Sequence, residues 1–407
     1  MNPELACALG RVLRAKFEGP IAIVRDTRES GRQILQSLAA GIGSHAYDYG
    51  VMPTPALSVI LQNTDAQVGV AITASHNPWQ DNGLKVLGHD GGKLSVLKEA
   101  DIDAAIDGAI GGRSTESPVA VRDVANAYLE AQLRAIGDVS VLRGQRIALD
   151  AANGAAFETG PRLLEAIGIE AVCLGVNPDG RNINEERGAM HPQALQEAVL
   201  KHGCSGGIAL DGDADRCVLV DSRGVVVHGD ALLLMLARPP GLVGTVMTNT
   251  ALELALEAQG IGFTRTAVGD RNVQLEMKSR GWHVGGEPSG HVLLSDALPT
   301  GDGLVSALRV LALGERWQEI LDGFHLMPSA QRGIRVTSKP PLEQLNELQA
   351  LLREAELHLE GRVLLRYSGT ESKLRVLVEA STVEVAETWC ERFEAAVSHE
   401  GLRELGH

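Results

Sequence analysis

Paired cysteines, long apolar runs and positive charge are all scarce in this sequence of 407 residues. The five cysteines are odd in number and show no Cys-x-x-Cys spacing, which indicates reduced thiols in a cytosolic protein. No apolar stretch reaches the roughly 18 residues that a membrane-spanning helix needs, and charged residues interrupt residues 1–17, where a signal peptide would have its apolar core. We therefore expect a cytoplasmic protein without a membrane partner.

Acidic residues outnumber basic ones. The chain has 37 Lys and Arg against 52 Asp and Glu, a formal charge of −15, and a pI near 5.3. This balance argues against nucleic acid as a partner. An anionic substrate would need a local cluster of basic side chains. Both a monomer and a homodimer are compatible with the composition.

The chain also has a repeating organisation. Short β-branched runs alternate with helical patterns, which is typical of α/β units, and this pattern recurs three times, with strands expected at 21–24, 147–149 and 246–247 among others. From residue 332 onward, expected strands at 333–336, 363–365 and 374–378 and helices at 342–357 and 383–397 indicate an α+β domain. The sequence thus predicts α/β domains at 1–137, 138–229 and 230–328, and an α+β domain at 329–407.

A polar loop follows the apolar run 68–72. Residues 73–78 read Thr-Ala-Ser-His-Asn-Pro, and Pro78 disfavours helix at Asn77, so we expect an exposed, extended loop held by a rigid strand. Adjacent residues of an extended chain point in opposite directions, which leaves His76 poorly placed as a base for Ser75. Ser75 is the first candidate for chemistry.

A second polar loop carries three carboxylates. Residues 211–216 read Asp-Gly-Asp-Ala-Asp-Arg, and in an extended loop Asp211, Asp213 and Asp215 would share a face. At ~6 Å and an effective dielectric of ~20, each pair repels by roughly 2 to 3 kcal/mol. A cation would offset this repulsion, and oxygen ligands favour Mg²⁺ or Mn²⁺ over zinc. A solvated acidic turn is the alternative interpretation.

Together the two loops resemble those of the α-D-phosphohexomutases, enzymes that move a phosphoryl group between the 1- and 6-positions of a hexose. Two further motifs follow in that family's order. Gly-Gly-Glu-Pro-Ser-Gly-His at 285–291 is similar to its sugar-recognition loop, and Arg-Tyr-Ser-Gly-Thr-Glu at 366–371, with Arg375, is similar to its phosphate-binding loop. The resemblance implies three similar α/β domains with mixed sheets and a smaller C-terminal α+β domain around a central cleft.

The resemblance also implies a role for each motif. A phosphorylated Ser75 would share one Mg²⁺ with the aspartates, a sugar bisphosphate would prime the enzyme, and a hexose phosphate would be the substrate. The implied catalytic residues are Ser75, His76, Lys85 and His291, and the implied metal ligands are Ser75, Asp211, Asp213 and Asp215. The implied substrate-binding residues are Arg216, Asp270, Arg271, Glu287, Ser289, His291, Arg366, Ser368, Gly369, Thr370 and Arg375. Arg28 matches a further family position whose task is less clear.

Simpler interpretations compete with these roles. Lys85 would be a solvated lysine at a strand end, and His291 an ordinary packed or surface histidine. The arginines of the last motif would be strand-face residues paired with Glu371 and Glu379.

The sequence departs from the family at its start. The family's opening strand and its Gly-Thr-Asp-Gly-Ile-Arg-Gly type loop do not precede the helix expected at 3–16. We therefore expect the first sheet to lack an edge strand and the site to lack one arginine, a loss worth about 10²- to 10³-fold in rate.

The motifs at 269–271, 300–303 and 182–184 resemble most the phosphoglucosamine mutase branch of the family. The resulting hypothesis is a Mg²⁺-dependent interconversion of glucosamine 6-phosphate and glucosamine 1-phosphate. The alternatives are a phosphomannomutase or phosphoglucomutase, a catalytically impaired sugar-phosphate binding paralogue, and a metal-dependent phosphatase.

Overall fold

The computed structural model describes residues 2–111, 119–369 and 371–402. The strands are β1 Ile21–Arg25, β2 Ala46–Val51, β3 Val68–Ile72, β4 Leu84–Gly88, β5 Ala120–Val121, β6 Arg146–Asp150, β7 Glu170–Leu174, β8 Gly206–Leu210, β9 Cys217–Asp221, β10 Val226–Val227, β11 Gly241–Thr245, β12 Gly262–Thr266, β13 Val284–Gly286, β14 Val292–Leu294, β15 Ser329–Arg335, β16 Arg362–Tyr367 and β17 Lys373–Glu379. The helices are α1 Pro3–Lys16, α2 Gly31–Ile42, α3 Thr54–Asn63, α4 Val96–Ala109, α5 Ala125–Ile136, α6 Thr159–Ile167, α7 Gln193–His202, α8 Gly229–Leu236, α9 Thr250–Ala258, α10 Asp270–Arg280, α11 Gly303–Leu311, α12 Glu315–Gly323, α13 Asn346–His358 and α14 Val383–His399. Single 3₁₀ turns lie at Gly43–His45, Ser140–Leu142, Gly188–Met190 and Leu342–Gln344.

The first sheet, sheet A, has the strand order β4-β3-β1-β2-β5. Its strands are parallel except for β4, which runs antiparallel to β3. Every residue of β3 is buried, as expected for a central strand covered on both faces. The rigid strand β3 therefore holds the 73–78 loop in a fixed position at the carboxyl end of the strand.

Helices α1 and α2 cross at two glycines. A Cβ on Gly10 would lie 2.2 Å from the carbonyl oxygen of Leu38, and one on Gly41 would lie 2.1 Å from that of Cys7. Only glycine permits such an approach of two backbones. The crossing lets both helices bury apolar residues in the core that also contains Ile21.

Two further mixed sheets follow. Sheet B has the order β10-β9-β8-β6-β7, in which β9 runs antiparallel to both β8 and β10 and the other pairs are parallel. Sheet C has the order β12-β11-β13-β14, parallel except for the antiparallel edge strand β14. In sheet B the buried strand β8 ends at Leu210, immediately before Asp211. The helix α7 ends at His202, and Gly203 after it forms a left-handed cap with a φ of 60°.

One strand of the third unit was wrongly placed by the sequence pattern. The expected strand at 246–247 lies just beyond β11, which spans Gly241–Thr245. β11 contains Gly241 and Gly244. Because glycine has a low strand propensity, the sequence pattern does not predict a strand there. The glycine is required because a Cβ on Gly241 would lie 2.6 Å from the ring of Trp282.

The last unit is of a different class. Sheet D has the antiparallel order β15-β17-β16 and a core of its own, formed with α13 and α14. The predicted fold class is thus confirmed, with three α/β units built on mixed sheets and a C-terminal α+β unit. The boundaries near 137, 229 and 328 stay predictions. Within the described ranges, no helix is both long and apolar enough to cross a bilayer.

A buried carboxyl lies at the start of α8. The Oδ2 atom of Asp230 accepts the backbone N–H of Asn249 at 3.0 Å, whereas Oδ1 has no hydrogen-bond partner. Burial raises the pKa of Asp230 to about 7 from its ordinary 3.8. Because the folded-state pKa is the higher one, the stability that the protonated carboxyl contributes is complete below about pH 4 and is lost as the pH rises through 7.

Asp230→Asn is therefore expected to stabilise the protein more at high pH. The amide keeps an oxygen for Asn249 but never ionises, so its gain over the wild type should be larger at pH 8 than at pH 5, by up to about 3 kcal/mol. Urea unfolding at the two pH values measures this difference, with exposed Asp103→Asn as the control. An equal gain at both pH values would contradict the expectation.

Candidate active site

Ser75 lies directly after β3, with an unusual backbone. Its φ is 51°, in the left-handed region that serine rarely adopts, and its backbone N–H donates to Thr73 Oγ1 at 2.9 Å. The expected extended conformation is therefore wrong at this residue. The side chain is buried, and its hydroxyl donates to Asp211 Oδ2 at 2.6 Å. Non-glycine residues held in this region cluster at functional sites, where the surrounding contacts over-determine them.

Arg28 supplies most of those contacts. It is 3% exposed, and its guanidinium donates to the backbone carbonyls of Ser75 at 2.9 Å, Asn77 at 2.8 Å and Asp81 at 3.0 Å, and also to that of Pro78. Asp26 orients it by accepting from Nε at 2.9 Å. The structure thus gives Arg28 the task that the sequence left open, which is to fix the shape of the serine loop.

Asn184 holds the same loop from sheet B. Its Nδ2 donates to the carbonyls of Ser75 at 2.9 Å and Asn77 at 3.0 Å. The sequence marked residues 182–184 only as a feature of one family branch. Asn184 has a left-handed backbone, with φ of 59°. Asn is enriched in that conformation, so an asparagine at this position was the sequence signal for a special loop residue.

The three aspartates of the second loop meet at one point. One ligand atom from each of Asp211, Asp213 and Asp215 lies within 4.8 Å of the others, and all three residues are buried. They converge through a turn in which Ala214 is left-handed, with φ of 60°, and not through the extended loop that was expected. Buried carboxylates this close require positive charge, so the solvated-turn interpretation is wrong.

The donor set fits a divalent cation. Asp213 Oδ1 and Asp215 Oδ1 are buried without a hydrogen-bond partner, and the Ser75 hydroxyl lies beside the third carboxylate. These atoms are all oxygens, the ligand type that Mg²⁺ prefers. Thr54, which the sequence analysis missed, orients the group by donating its hydroxyl to Asp213 Oδ2 at 2.5 Å.

Lys85 supplies one positive charge to this cluster. Its Nζ lies 2.6 Å from Asp213 Oδ2 and 2.9 Å from Asp215 Oδ2, so it is paired and not free in solvent. Burial alone would lower the pKa of Lys85, but the two carboxylates outweigh it and raise the pKa. Lys85 therefore holds its proton next to the aspartates.

The carboxylates differ in how they titrate. Burial and its two aspartate neighbours raise the pKa of Asp211 well above its usual range. Burial acts on Asp215 too, but the charges of Lys85 and His291 lower its pKa well below that range. The pKa values of these two carboxyls of the triad are thus shifted in opposite directions, a separation typical of functional sites.

His291 links the triad to sheet C. It is buried, with Nδ1 3.5 Å from Asp215 Oδ1 and Nε2 3.6 Å from Asp270 Oδ2. Burial opposes the charged form, but the two aspartates raise the pKa of His291. The histidine is therefore no ordinary surface residue. In the same loop Glu287 accepts the backbone N–H of Gly269 at 2.9 Å, and Ser289 is exposed.

Other predicted site residues are engaged with protein partners. Asp270 pairs with Lys93 at 2.6 Å, and Arg271 donates to the carbonyl of Leu94 at 3.0 Å and pairs with Glu99. These contacts join α10 to the sheet A unit. The substrate-binding roles of Asp270 and Arg271 stay predictions.

Arg216 and His76 form a pair beside the serine. Arg216 Nη1 lies 3.2 Å from His76 Nδ1, which in turn is 3.5 Å from the Ser75 hydroxyl oxygen. Burial and the Arg216 charge lower the pKa of His76, so the imidazole is neutral near pH 7. Since Nδ1 already accepts from the guanidinium, His76 is a weak partner for Ser75.

The predicted phosphate loop lies at one end of sheet D. Arg366 and Arg375 stand directly opposite each other in the β16–β17 pair, an arrangement of like charges that is destabilising without an anion. Burial and the Arg375 charge lower the pKa of Arg366. Ser368 is buried, and its carbonyl accepts from Lys339 Nζ at 2.6 Å, a contact that the sequence analysis missed. Gly369 follows it, and Thr370 lies outside the described residues.

The competing interpretation, in which Glu371 and Glu379 pair with these arginines, holds for Glu371 only. Arg375 pairs with Glu371 at 2.7 Å, but that pair is exposed. Glu379 pairs with Arg362, and not with either arginine of the loop.

Comparison with known proteins decides the family. Residues 2–110, 126–224 and 227–322 match the alpha/beta/alpha domains I, II and III of phosphoglucomutase/phosphomannomutase, and residues 334–396 match its C-terminal domain. The chain belongs to this phosphohexomutase family. The resemblance seen in the four motifs is confirmed.

Curated phosphohexomutases are similar over nearly the whole chain. The phosphoglucosamine mutase of Delftia acidovorans is 40% identical over 421 residues, covering 97% of this chain and 93% of that protein. The phosphoglucosamine mutase of Deinococcus deserti is 42% identical over 393 residues, covering 92% and 88%.

Solved phosphohexomutase structures share the fold. A phosphoglucomutase/phosphomannomutase family protein from Burkholderia thailandensis matches with a TM-score of 0.81 at 24% identity, over 99% of this chain and 96% of that one. The Aspergillus fumigatus N-acetylphosphoglucosamine mutase, solved with GlcNAc-6P and magnesium, matches with a TM-score of 0.65 at 19% identity, over 88% and 96%. At these identities the likeness supports the fold alone.

Proposed function

We propose that the protein interconverts glucosamine 6-phosphate and glucosamine 1-phosphate through a phosphorylated Ser75. The observation that carries the proposal is the 2.6 Å contact of the Ser75 hydroxyl with Asp211, inside a buried acidic triad. A hydroxyl fixed in a strained loop next to a cation site suits a serine that gains and loses a phosphoryl group. A sugar bisphosphate is the expected primer.

The residues of the triad would hold the metal. Asp211, Asp213, Asp215 and the substituted Ser75 oxygen supply an oxygen-only set for one Mg²⁺. When bound, the ion would offset the charge of the phosphoserine and polarise its phosphorus. Asp213 Oδ1, a buried carboxylate oxygen that accepts no hydrogen bond, supports this assignment.

Lys85 is our candidate acid. When the phosphoryl group moves from Ser75 to a sugar hydroxyl, the bond from phosphorus to the serine oxygen breaks, a new bond to the sugar oxygen forms, and the serine oxygen needs a proton. Lys85 carries its proton on the same buried triad, 2.6 Å from Asp213 Oδ2 and 2.9 Å from Asp215 Oδ2, while the Ser75 hydroxyl contacts the third member, Asp211. The proton that the sugar hydroxyl releases in the same step returns to Lys85, so the exchange is balanced.

Basic side chains of the last unit would fix the phosphate that does not react. Arg366 and Arg375 face each other, and guanidinium groups suit phosphate oxygens. His291 and Glu287 border the space between the triad and sheet C and would bind sugar hydroxyls.

The free state of Cys7, Cys173, Cys204, Cys217 and Cys390 supports a cytoplasmic location.

The choice of sugar rests on the relatives. The curated proteins reported above carry the phosphoglucosamine mutase name, which favours glucosamine over mannose and glucose. A coupled assay with the 1-phosphates of the three sugars should give a kcat/KM at least about tenfold higher for glucosamine. A higher value for mannose or glucose would contradict the proposal, and release of free phosphate in place of the isomer would favour a phosphatase.

A further inference from the structure

Two charged pairs lie on one face of sheet D. In the antiparallel pairing of β16 with β17, Arg366 is opposite Arg375 at the loop end, and Arg362 is opposite Glu379 four residues away. Because side chains alternate along a strand, these four residues share a face. Met247, which follows β11, borders the same face together with Leu364 and Leu377. The face therefore runs from the predicted phosphate loop to the contact with domain III.

The Arg362–Glu379 pair is bidentate, with a buried carboxylate and a half-buried guanidinium. Arg362 Nε lies 3.0 Å from Glu379 Oε2 and Nη2 lies 2.9 Å from Oε1, and Glu379 is 1% exposed. A buried carboxylate must satisfy its remaining acceptor positions with good geometry. In this protein it does so with groups of another domain.

Both members of the pair reach across to domain III. Arg362 donates to the carbonyls of Val246 at 2.9 Å and Thr248 at 2.7 Å, which follow β11. Glu379 Oε2 accepts from Thr250, both from its backbone N–H at 3.0 Å and from its hydroxyl at 2.6 Å, at the first residue of α9. We call Arg362, Glu379 and Thr250 the clamp.

The covalent connection between the domains is tied at the same place. Asn249 Nδ2 donates to the carbonyl of Met327 at 3.0 Å, and the Met327 backbone N–H donates back to Asn249 Oδ1 at 3.0 Å. Met327 lies two residues before β15, which is the first strand of sheet D. The chain thus enters the last domain next to the clamp.

We propose that the clamp is a positioning element, which fixes the position of the Arg366 and Arg375 side chains relative to the substrate phosphate. The proposal rests on the proposed function, in which those arginines bind the phosphate that does not react. The arginines lie four strand positions from the clamp, a distance of about 14 Å. A rotation of about 10° at the clamp would therefore move the arginines by about 2 Å, enough to break hydrogen bonds between their guanidinium groups and the substrate phosphate.

Thr250→Val tests the link between the domains without breaking the ion pair inside sheet D. It removes the hydroxyl that donates to Glu379 and keeps the shape of the side chain. Thr250→Ser retains the hydroxyl and is the matched rescue variant. Glu379→Gln weakens the clamp from the other side, and Glu354→Gln, in an exposed pair with Arg392 of the same domain, is the control.

The expected result is a split between KM and kcat. Thr250→Val and Glu379→Gln should raise the KM for the sugar phosphate about tenfold or more with kcat within about threefold, while Thr250→Ser and Glu354→Gln stay near wild type. Unchanged KM values in the first two variants, with or without a lower melting temperature, would overturn the proposal. A wild-type protein without mutase activity would instead count against the proposed function, so the two failures are distinguishable.

Discussion

Replacing Ser75 by alanine is expected to lower turnover by at least about 10⁴-fold, the scale seen when a nucleophile is removed. The alanine leaves the loop without the oxygen that donates to Asp211, and no other hydroxyl of the 73–78 loop has that contact among the described residues. Mass spectrometry of the wild-type protein should find one phosphate on Ser75, and the variant should lack it.

Exposed Ser44→Ala is the matched control, because Ser44 lies in the 3₁₀ turn before β2. Calorimetry on Ser75→Ala should still detect binding of the sugar phosphate, since the arginines and the sugar loop are intact. Residual activity above about one per cent of the wild type would mean that Ser75 is not the residue that carries the phosphoryl group.

Asp213→Asn is expected to remove the response to Mg²⁺. Asp213 contributes a buried, unpartnered oxygen to the triad and contacts both Lys85 and Thr54. An amide keeps the shape but offers one neutral oxygen, so kcat should fall on the order of 10³-fold, as expected when charge stabilisation in a dry site is lost.

Thermal unfolding gives a readout independent of activity. Mg²⁺ at about 100 times its Kd should stabilise the wild type by about 2.7 kcal/mol and leave the variant unchanged. Chelation should abolish wild-type turnover, and added Mg²⁺ should restore it. Exposed Asp107→Asn on α4 is the control, and an Asp213→Asn protein that Mg²⁺ still stabilises would place the ion elsewhere.

The sequence was informative where chemistry imposes a short pattern. The alternation of aspartates in residues 211–216 predicted a convergent triad, and one carboxylate oxygen of each aspartate does lie close to the other two. The backbone that achieves this was not predictable, because the left-handed conformations of Ser75 and Ala214 are set by contacts distant in the chain. Arg28 and Asn184 provide those contacts for Ser75 from two different units, and the backbone N–H of Gly303 donates to the carbonyl of Ala214.

Pairings between elements were also beyond the sequence. Glu379 was considered as a partner for the loop arginines, since it lies on the same strand face as Arg375. Its actual partners, Arg362 and Thr250, are fixed by cross-strand register and by the docking of α9. The sequence pattern misplaced β11 for a similar reason. Gly241 is required there by the ring of Trp282, forty-one positions further along the chain, and not by residues next to it in sequence.

The backbone at Ser75 also restricts which alcohol can occupy the position. Threonine carries the same hydroxyl chemistry, but a second substituent on its Cβ makes a φ of 51° a genuine outlier for it. The change of serine to threonine, which is conservative on most protein surfaces, is therefore disfavoured at residue 75 by the backbone conformation and not by the chemistry of the hydroxyl.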